Sequence, residues 1–303
     1  MESLTTPAYL KAGDTIGIIA PARKVAESEI TPFIKMMEQR GFRVVWGSHM
    51  LGSKGQFSGT ARERLMDLQQ MFTDPEIKAV ICARGGYGSA QLLKDIDWEV
   101  IRNNPKWFIG FSDITALHSA FGKFMETIHA VMPYSLVMEE PQTEESFNYL
   151  LRFLKGEQLE YRIPDHPGNI PGRVSGQLTG GNLSVLFSLA GTAYEPDYRG
   201  KILFLEDLDE YLYHIDRMIL NFELRGIFQK ISGLIIGDFS DMHDNSVSFG
   251  SSAYEIIHER ALKYRVPTQF GFPAGHKKNN FPLIFGRLST LTVKQGANTL
   301  QMY

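Results

Sequence analysis

The chain has 303 residues, 43% of them hydrophobic and 21% charged, with a formal net charge of −3 and Cys82 as its one cysteine. That length allows one large or two medium domains of a globular protein. The mild charge with no basic block argues against nucleic acid as the main partner, a lone cysteine excludes an intrachain disulfide and fits a reducing compartment, and no apolar run is long enough to span a bilayer. From the N-terminus, Met1-Glu2-Ser3-Leu4-Thr5-Thr6-Pro7 carries an acid and no apolar core, so it does not read as a secretory signal; the expected location is the cytoplasm. Thr15-Ile16-Gly17-Ile18-Ile19-Ala20 reads as a buried strand, followed by a helix with Ile30, Phe33, Ile34 and Met37 in period and Gly41 as its C-cap. Phe42-Arg43-Val44-Val45-Trp46 is a second strand, residues 61–72 a charged amphipathic helix, and Lys78-Ala79-Val80-Ile81-Cys82-Ala83 a third strand. Another helix opens over 88–93, and 107–111 is the next strand. This alternation predicts a parallel sheet with helices on both faces, whose ligands bind beyond the carboxyl ends of the strands.

Residues 157–182 break the rhythm, with Pro164, Pro167, Pro171, Gly168, Gly172 and Gly176 making the stretch loop-like. The expected division is therefore an N-terminal parallel α/β domain over 1–156, a linker over 157–178 and a second, more mixed domain over 179–303. In that second half Gly180-Gly181-Asn182 leads into a helical run, Lys201-Ile202-Leu203-Phe204-Leu205 and Gly233-Leu234-Ile235-Ile236-Gly237 read as strands, 213–224 and 253–264 as helices, and 288–293 as a late strand.

Several segments could carry chemistry. In Gly110-Phe111-Ser112-Asp113-Ile114-Thr115-Ala116-Leu117 an apolar strand ends and a helix begins at once, with Ile114, Leu117, Phe121 and Phe124 on one face. Ser112 thus sits at a sharp strand-to-helix turn, where nucleophilic serines often sit, but serine and aspartate also cap helices for structural reasons. Arg84-Gly85-Gly86-Tyr87-Gly88 follows the third strand directly; its N–H groups could hold an anion or an oxyanion, and it matches neither a P-loop nor a dinucleotide fingerprint. Glu206-Asp207-Leu208-Asp209-Glu210 places four carboxylates just past a strand, ordinarily a solvated turn, with Glu206 set apart because it ends the apolar run. His276 stands on the Gly/Pro loop 271–280, a better place for a base than a helix face, whereas His118 reads as a packed or exposed helix residue. Asp238, Asp241, His243 and Asp244 fit no metal-ligand spacing and read as a solvated loop; Cys82 reads as an inert core thiol.

Seven motifs in their joint order resemble the LD-carboxypeptidase family of serine peptidases, also called the microcin-immunity or muramoyltetrapeptide carboxypeptidase family. They are Phe57-Ser58-Gly59-Thr60, Cys82-Ala83-Arg84-Gly85-Gly86-Tyr87-Gly88, Gly110-Phe111-Ser112-Asp113-Ile114-Thr115-Ala116-Leu117, Thr179-Gly180-Gly181-Asn182-Leu183, Leu205-Glu206-Asp207, Ile215-Asp216-Arg217 and Gly275-His276. The resemblance covers nearly the whole chain. It implies a Ser112–Glu206–His276 triad and an oxyanion hole built from the backbone of Gly85, Gly86 and Asp113. It also implies a doubly wound N-terminal domain, a β-rich C-terminal α/β domain and a homodimer. The implied substrate is a cell-wall tetrapeptide cut before its terminal D-alanine, recycled in the cytoplasm, with no metal or other cofactor and no nucleic-acid or membrane partner. Gln91 departs from the pattern, since many members carry an arginine there. Three rivals stand beside this reading. One is a microcin-immunity-type hydrolase of peptide–nucleotide conjugates. Another is a non-catalytic ligand-binding relative, against which the intact triad set weighs. The last is a general esterase, against which Ile114 weighs by standing where Gly-x-Ser-x-Gly needs its second glycine.

Overall fold

The computed structural model describes residues 4–138, 141–277 and 279–303; residues 1–3 of the N-terminal reading and Lys278 of the 271–280 loop lie outside them. The chain divides into two compact units, Met1–Glu157 with Phe281–Ile284, and Gln158–Asn280 with Phe285–Tyr303. In the first, β1 (Thr15–Ile19), α1 (Glu27–Gln39), β2 (Arg43–Trp46), α2 (Ala61–Thr73), β3 (Ile77–Cys82), α3 (Trp98–Asn103), β4 (Trp107–Gly110), α4 (Thr115–Phe121), β5 (Thr127–His129) and α5 (Pro141–Leu154) follow one another. Strands β1 to β5 pair in parallel in the order 2-1-3-4-5. β1 and β4 are buried along their whole length and β3 at every residue but Lys78, which is why they read as unbroken apolar runs. α2 starts where Thr60 and Glu63 form a reciprocal capping box, Glu63 N–H to Thr60 Oγ1 at 3.2 Å and Thr60 N–H to Glu63 Oε2 at 2.7 Å. In this strand order, ligands bind past the carboxyl ends of β1 and β3, where the connections diverge to opposite sides. Residues 84–88 leave β3 at that end.

The second unit runs β6 (Glu160–Ile163), β7 (Gly172–Asn182), α6 (Leu183–Ser188), β8 (Ile202–Leu208), α7 (Leu212–Leu224), α8 (Ile227–Lys230), β9 (Gly233–Ser240), α9 (Ala253–Lys263) and β10 (Thr268–Gln269). After it, β11 (Leu283–Phe285) adds to the first unit's sheet beside β5, and β12 (Leu288–Val293) and β13 (Asn298–Met302) complete the second sheet. That sheet is ordered 10-9-8-7-12-13-6; β7 to β10 are parallel, and β12, β13 and β6 continue it antiparallel. Its core packs Ile215, Met218, Ile219 and Phe222 of α7 with Ile256 and Ile257 of α9 against Leu203, Leu205, Leu234 and Ile236 of the sheet.

Three expectations need correcting. The 157–178 stretch is no linker, because it carries β6 and the first part of β7; its prolines fall outside the strands, and residues 172–177 pair with β12 and 178–182 with β8. Strand β8 does not end at Leu205 but continues through Glu206 and Asp207 to Leu208, with a register irregularity between Leu205 and Asp207 against β9. Asp207 is accordingly 2% exposed rather than solvated. Asp238 is likewise not in a solvated loop: it lies within β9 and is 4% exposed, whereas Asp241, His243 and Asp244 are exposed.

Candidate active site

In the first unit the site begins with a strained backbone. β4 ends at Gly110, and two residues later Ser112 adopts φ 63°, one of few non-glycine residues with positive φ among the described residues. That conformation costs an L-residue roughly 1–2 kcal/mol, far from what a helix cap requires. A short 3₁₀ turn, Ser112–Ile114, leads straight into α4. The glycine turn packs against this serine: a Cβ on Gly85 would lie 3.0 Å from Ser112 Cβ, 3.2 Å from its Oγ and 3.4 Å from the Asp113 nitrogen. Gly86 sits at φ 107°, and a Cβ there would lie 2.8 Å from Arg23 Cδ. The Gly85 carbonyl accepts from Arg23 N–H at 3.4 Å, so the N–H of the same peptide, that of Gly86, points the opposite way.

A buried network fixes the turn. Asp113 Oδ2 accepts from Ser89 N–H at 2.8 Å and its carbonyl from Ser89 Oγ at 2.5 Å. Burial raises the Asp113 pKa against the opposing hydrogen bonds of Ser89 and Gly88 and the charge of Arg64. Arg64, 2% exposed, donates to Pro21 O at 2.5 Å, Gly88 O at 2.9 Å and Gln91 Oε1 at 2.7 Å. Gln91, the departure from the family pattern, is therefore an acceptor for an arginine that arrives from α2. The guanidinium of Arg84 lies 3.7 Å from the centre of the Tyr134 ring. His118 is packed, not exposed; burial depresses its pKa to about 4, and Nε2 meets Gly110 O at 2.8 Å. Cys82 is buried and its thiol pKa is pushed well up, first by burial and then by the Asp113 charge, as suits an inert core thiol.

In the second unit the site is electrostatic. Glu206, 0% exposed, accepts from His276 Nδ1 at 2.7 Å through Oε2. The imidazole is thereby held in the tautomer that leaves Nε2 available as a base. Gly275 lets the loop come this close: it sits at φ 129°, where a Cβ would meet Asp238 Cβ at 2.9 Å and Glu206 Cβ at 3.3 Å. A second ion pair latches the same loop, Lys277 Nζ to Asp238 Oδ1 at 2.7 Å. Burial alone would depress the His276 pKa, but the Glu206 charge and hydrogen bond, with the charges of Asp207 and Asp238, more than reverse this and raise it. Asp207 faces other partners: Asn182 Nδ2 at 2.8 Å, Ser184 N–H at 2.9 Å and its neighbour Leu208 N–H at 2.9 Å. Burial, then the Glu206 charge, pushes its pKa up to about 7. It fastens the start of α6 to β8 and does not touch the imidazole pair by any of these bonds. Asp209 and Glu210 pair instead with His243 Nε2 at 2.5 Å and His214 Nδ1 at 2.6 Å.

Sequence reasoning missed Arg64, Ser89 and Lys277 and read Asp238 as solvated. Asp238 had a readable signal, since it ends the β9 apolar run just as Glu206 ends that of β8, and the two strands are parallel neighbours. Among the described residues no three His, Cys, Asp or Glu side chains converge as a metal site, and no helix is long and apolar enough to cross a membrane.

A strained serine beside a glycine turn in one unit, and a buried carboxylate–imidazole pair in the other, are the kinds of group with which serine hydrolases work. Comparison with known proteins gives the family. The LD-carboxypeptidase N-terminal domain matches residues 16–130 and the LD-carboxypeptidase C-terminal domain residues 175–291, and the chain belongs to the LD-carboxypeptidase family. It is 35% identical over 275 residues to a probable murein peptide carboxypeptidase of Bacillus subtilis, covering 89% of this chain and 86% of the relative. It is 28% identical to the microcin C7 self-immunity protein of Escherichia coli, over 89% of this chain and 88% of that one. The crystal structure of a muramoyltetrapeptide carboxypeptidase from Oxalobacter formigenes superposes with a TM-score of 0.87 at 29% identity, covering 95% of this chain and 98% of that one.

Proposed function

We propose that this enzyme hydrolyses the L,D amide bond of muropeptide tetrapeptides and releases the terminal D-alanine. The observation that carries the reading is the buried Glu206–His276 pair, 2.7 Å between Oε2 and Nδ1, because a carboxylate sealed from water at that atom orients an imidazole as a general base. His276 Nε2 takes the Ser112 proton as Oγ attacks the scissile carbonyl. Backbone N–H groups of Gly85, Gly86 and Asp113 receive the developing oxyanion. His276 then protonates the leaving amine of D-alanine, and water, activated by the same imidazole, hydrolyses the acyl-enzyme. Glu206 stabilises the imidazolium in both steps. Arg84, half-buried beside the glycine turn, is a cation suited to the terminal carboxylate that distinguishes a carboxypeptidase substrate. We place the enzyme as a homodimer acting on recycled muropeptides in the cytoplasm, which light scattering and cell fractionation test.

Incubation with tetrapeptide and pentapeptide muropeptides, read by mass, tests the reaction: free D-alanine and a tripeptide product from the tetrapeptide are expected. Cleavage of an aminoacyl sulfamoyl nucleoside with no release of D-alanine from the tetrapeptide would instead place the chain with the microcin-immunity activity.

A further inference from the structure

Past the end of β8 the chain builds an exposed aromatic platform that the proposed chemistry does not use. Asp209, at φ 61°, turns the chain out of the strand, and Tyr211 and Tyr213 follow with 44% and 40% of their surfaces exposed. Their rings stand 5.6 Å apart. Tyr211 leans on the His243 ring at 5.4 Å, and Arg217 lies 5.2 Å from the centre of the Tyr213 ring. The backbone underneath is fixed: Leu212 N–H donates to His243 O at 2.9 Å, His243 N–H to Glu210 O at 2.9 Å, and His214 N–H to Tyr211 O at 2.8 Å. Around the rings stand planar polar groups, Asp209 paired with His243 and Glu210 paired with His214. Exposed, pre-set tyrosine faces ringed by carboxylate, imidazole and guanidinium groups combine what a sugar ring requires: a flat apolar face for its C–H groups and charged acceptors and donors for its hydroxyls.

We infer that Tyr211 and Tyr213 form a subsite for the muramoyl sugar that carries the peptide, an inference that rests on the proposed muropeptide reading. Chain reach agrees with it. Tyr211 is five residues beyond Glu206, so their Cα atoms lie at most about 18 Å apart. Three extended residues between the scissile bond and the sugar span about 10 Å, which falls inside that bound. The platform also leaves the sheet at the carboxyl end of β8, the end at which Glu206 lies. The sugar supplies binding energy away from the reacting bond, so its loss is felt in kcat/KM.

Two measurements test this. The first is kcat/KM for D-alanine release from disaccharide tetrapeptide relative to free tetrapeptide, in the wild type, in the Tyr211→Ala/Tyr213→Ala double variant and in Tyr211→Phe/Tyr213→Phe. The ratio is expected to be about tenfold in the wild type, to stay within a few-fold of that in the phenylalanine variant, and to fall to about one in the alanine variant. The second is NMR titration of the free muramoyl disaccharide, without peptide, onto wild type and alanine variant. Sugar-dependent shifts in the wild type that vanish in the alanine variant support the platform even if no tetrapeptide is cleaved, in which case only the reaction assignment falls. Efficient tetrapeptide cleavage with a ratio of one in the wild type, or a ratio unchanged in the alanine variant, overturns the platform and leaves the reaction standing. Loss of a dimer in the alanine variant with no effect on sugar binding would assign the patch to a second copy of the chain and also overturn it.

Discussion

The two units hold the residues of the proposed chemistry by different physical means. The first works through its backbone: Ser112 is held at φ 63°, and the Gly85–Gly86 turn packs so closely that a single methyl would collide with the serine or with Arg23. The second works through charge taken out of water: Glu206 and Asp238 lie near the carboxyl ends of adjacent strands, and each receives one residue of the same loop, His276 and Lys277. Substitutions in the first unit should therefore act through geometry and be insensitive to pH, while those in the second should move the pH profile. The largest effect should come from the nucleophile. Ser112→Ala is expected to lower kcat by roughly five to six orders of magnitude, as in other serine triads. It keeps the left-handed backbone strain, which Ser112→Gly relieves, so the glycine variant should be more stable than the alanine variant by roughly 0.5–1 kcal/mol and melt at a higher temperature. Equal melting temperatures would mean that the turn stores no strain at Ser112.

Next in size is the orienting acid. Glu206→Gln is expected to lower kcat roughly 10²- to 10⁴-fold by releasing the imidazole tautomer. Asp207→Asn, one residue away, should cost stability instead, about 1–3 kcal/mol, because its amide nitrogen cannot accept and at least one of three donors loses its partner. Its kcat should fall less than tenfold, and Glu210→Gln should change kcat little. Urea melts and steady-state rates on the same preparations check both halves, and a crippled Asp207→Asn beside an active Glu206→Gln would reassign the acid.

Gly86→Val should cost about 10²- to 10³-fold in kcat, the loss of an oxyanion donor, with no shift in the pH profile. The smallest effect carries the pH test. His276 must be neutral to act as a base, and its pKa is raised, so the acid limb of kcat/KM should fall above the ordinary imidazole value of 6.5, activity rising with pH through it. Asp238→Asn removes one of the charges that raise this pKa and loosens the Lys277 latch. Its limb should move to lower pH, with kcat/KM reduced by about tenfold or less at the optimum. A limb left in place would remove Asp238 from the electrostatics of the imidazole.

The first unit was largely legible in the sequence because its signals are local. The apolar runs of β1, β3 and β4 mark doubly covered strands, and a serine between β4 and α4 with glycines after β3 marks the turn. The second unit was less so. The irregularity after Leu205 hides two charged residues inside a strand, and a carboxylate reads as solvated when its partner lies far along the chain, as His276 lies 70 residues beyond Glu206 and Lys277 lies 39 beyond Asp238. The 157–178 stretch failed for a related reason: antiparallel pairing with β12 and β13, more than a hundred residues away, turns a proline- and glycine-rich segment into strands. Gln91 was visible as a departure, but its partner Arg64 comes from another helix and only packing reveals it.

The most direct test is to trap the acyl-enzyme. Wild-type protein mixed with a muropeptide tetrapeptide, quenched in acid within the first turnovers and digested, should yield one modified peptide. Its added mass should be that of the substrate less D-alanine, placed on Ser112 by fragmentation, and Ser112→Ala protein treated identically should yield none. Continued release of D-alanine by Ser112→Ala, or an adduct on any other residue, would contradict the assignment of Ser112 as nucleophile.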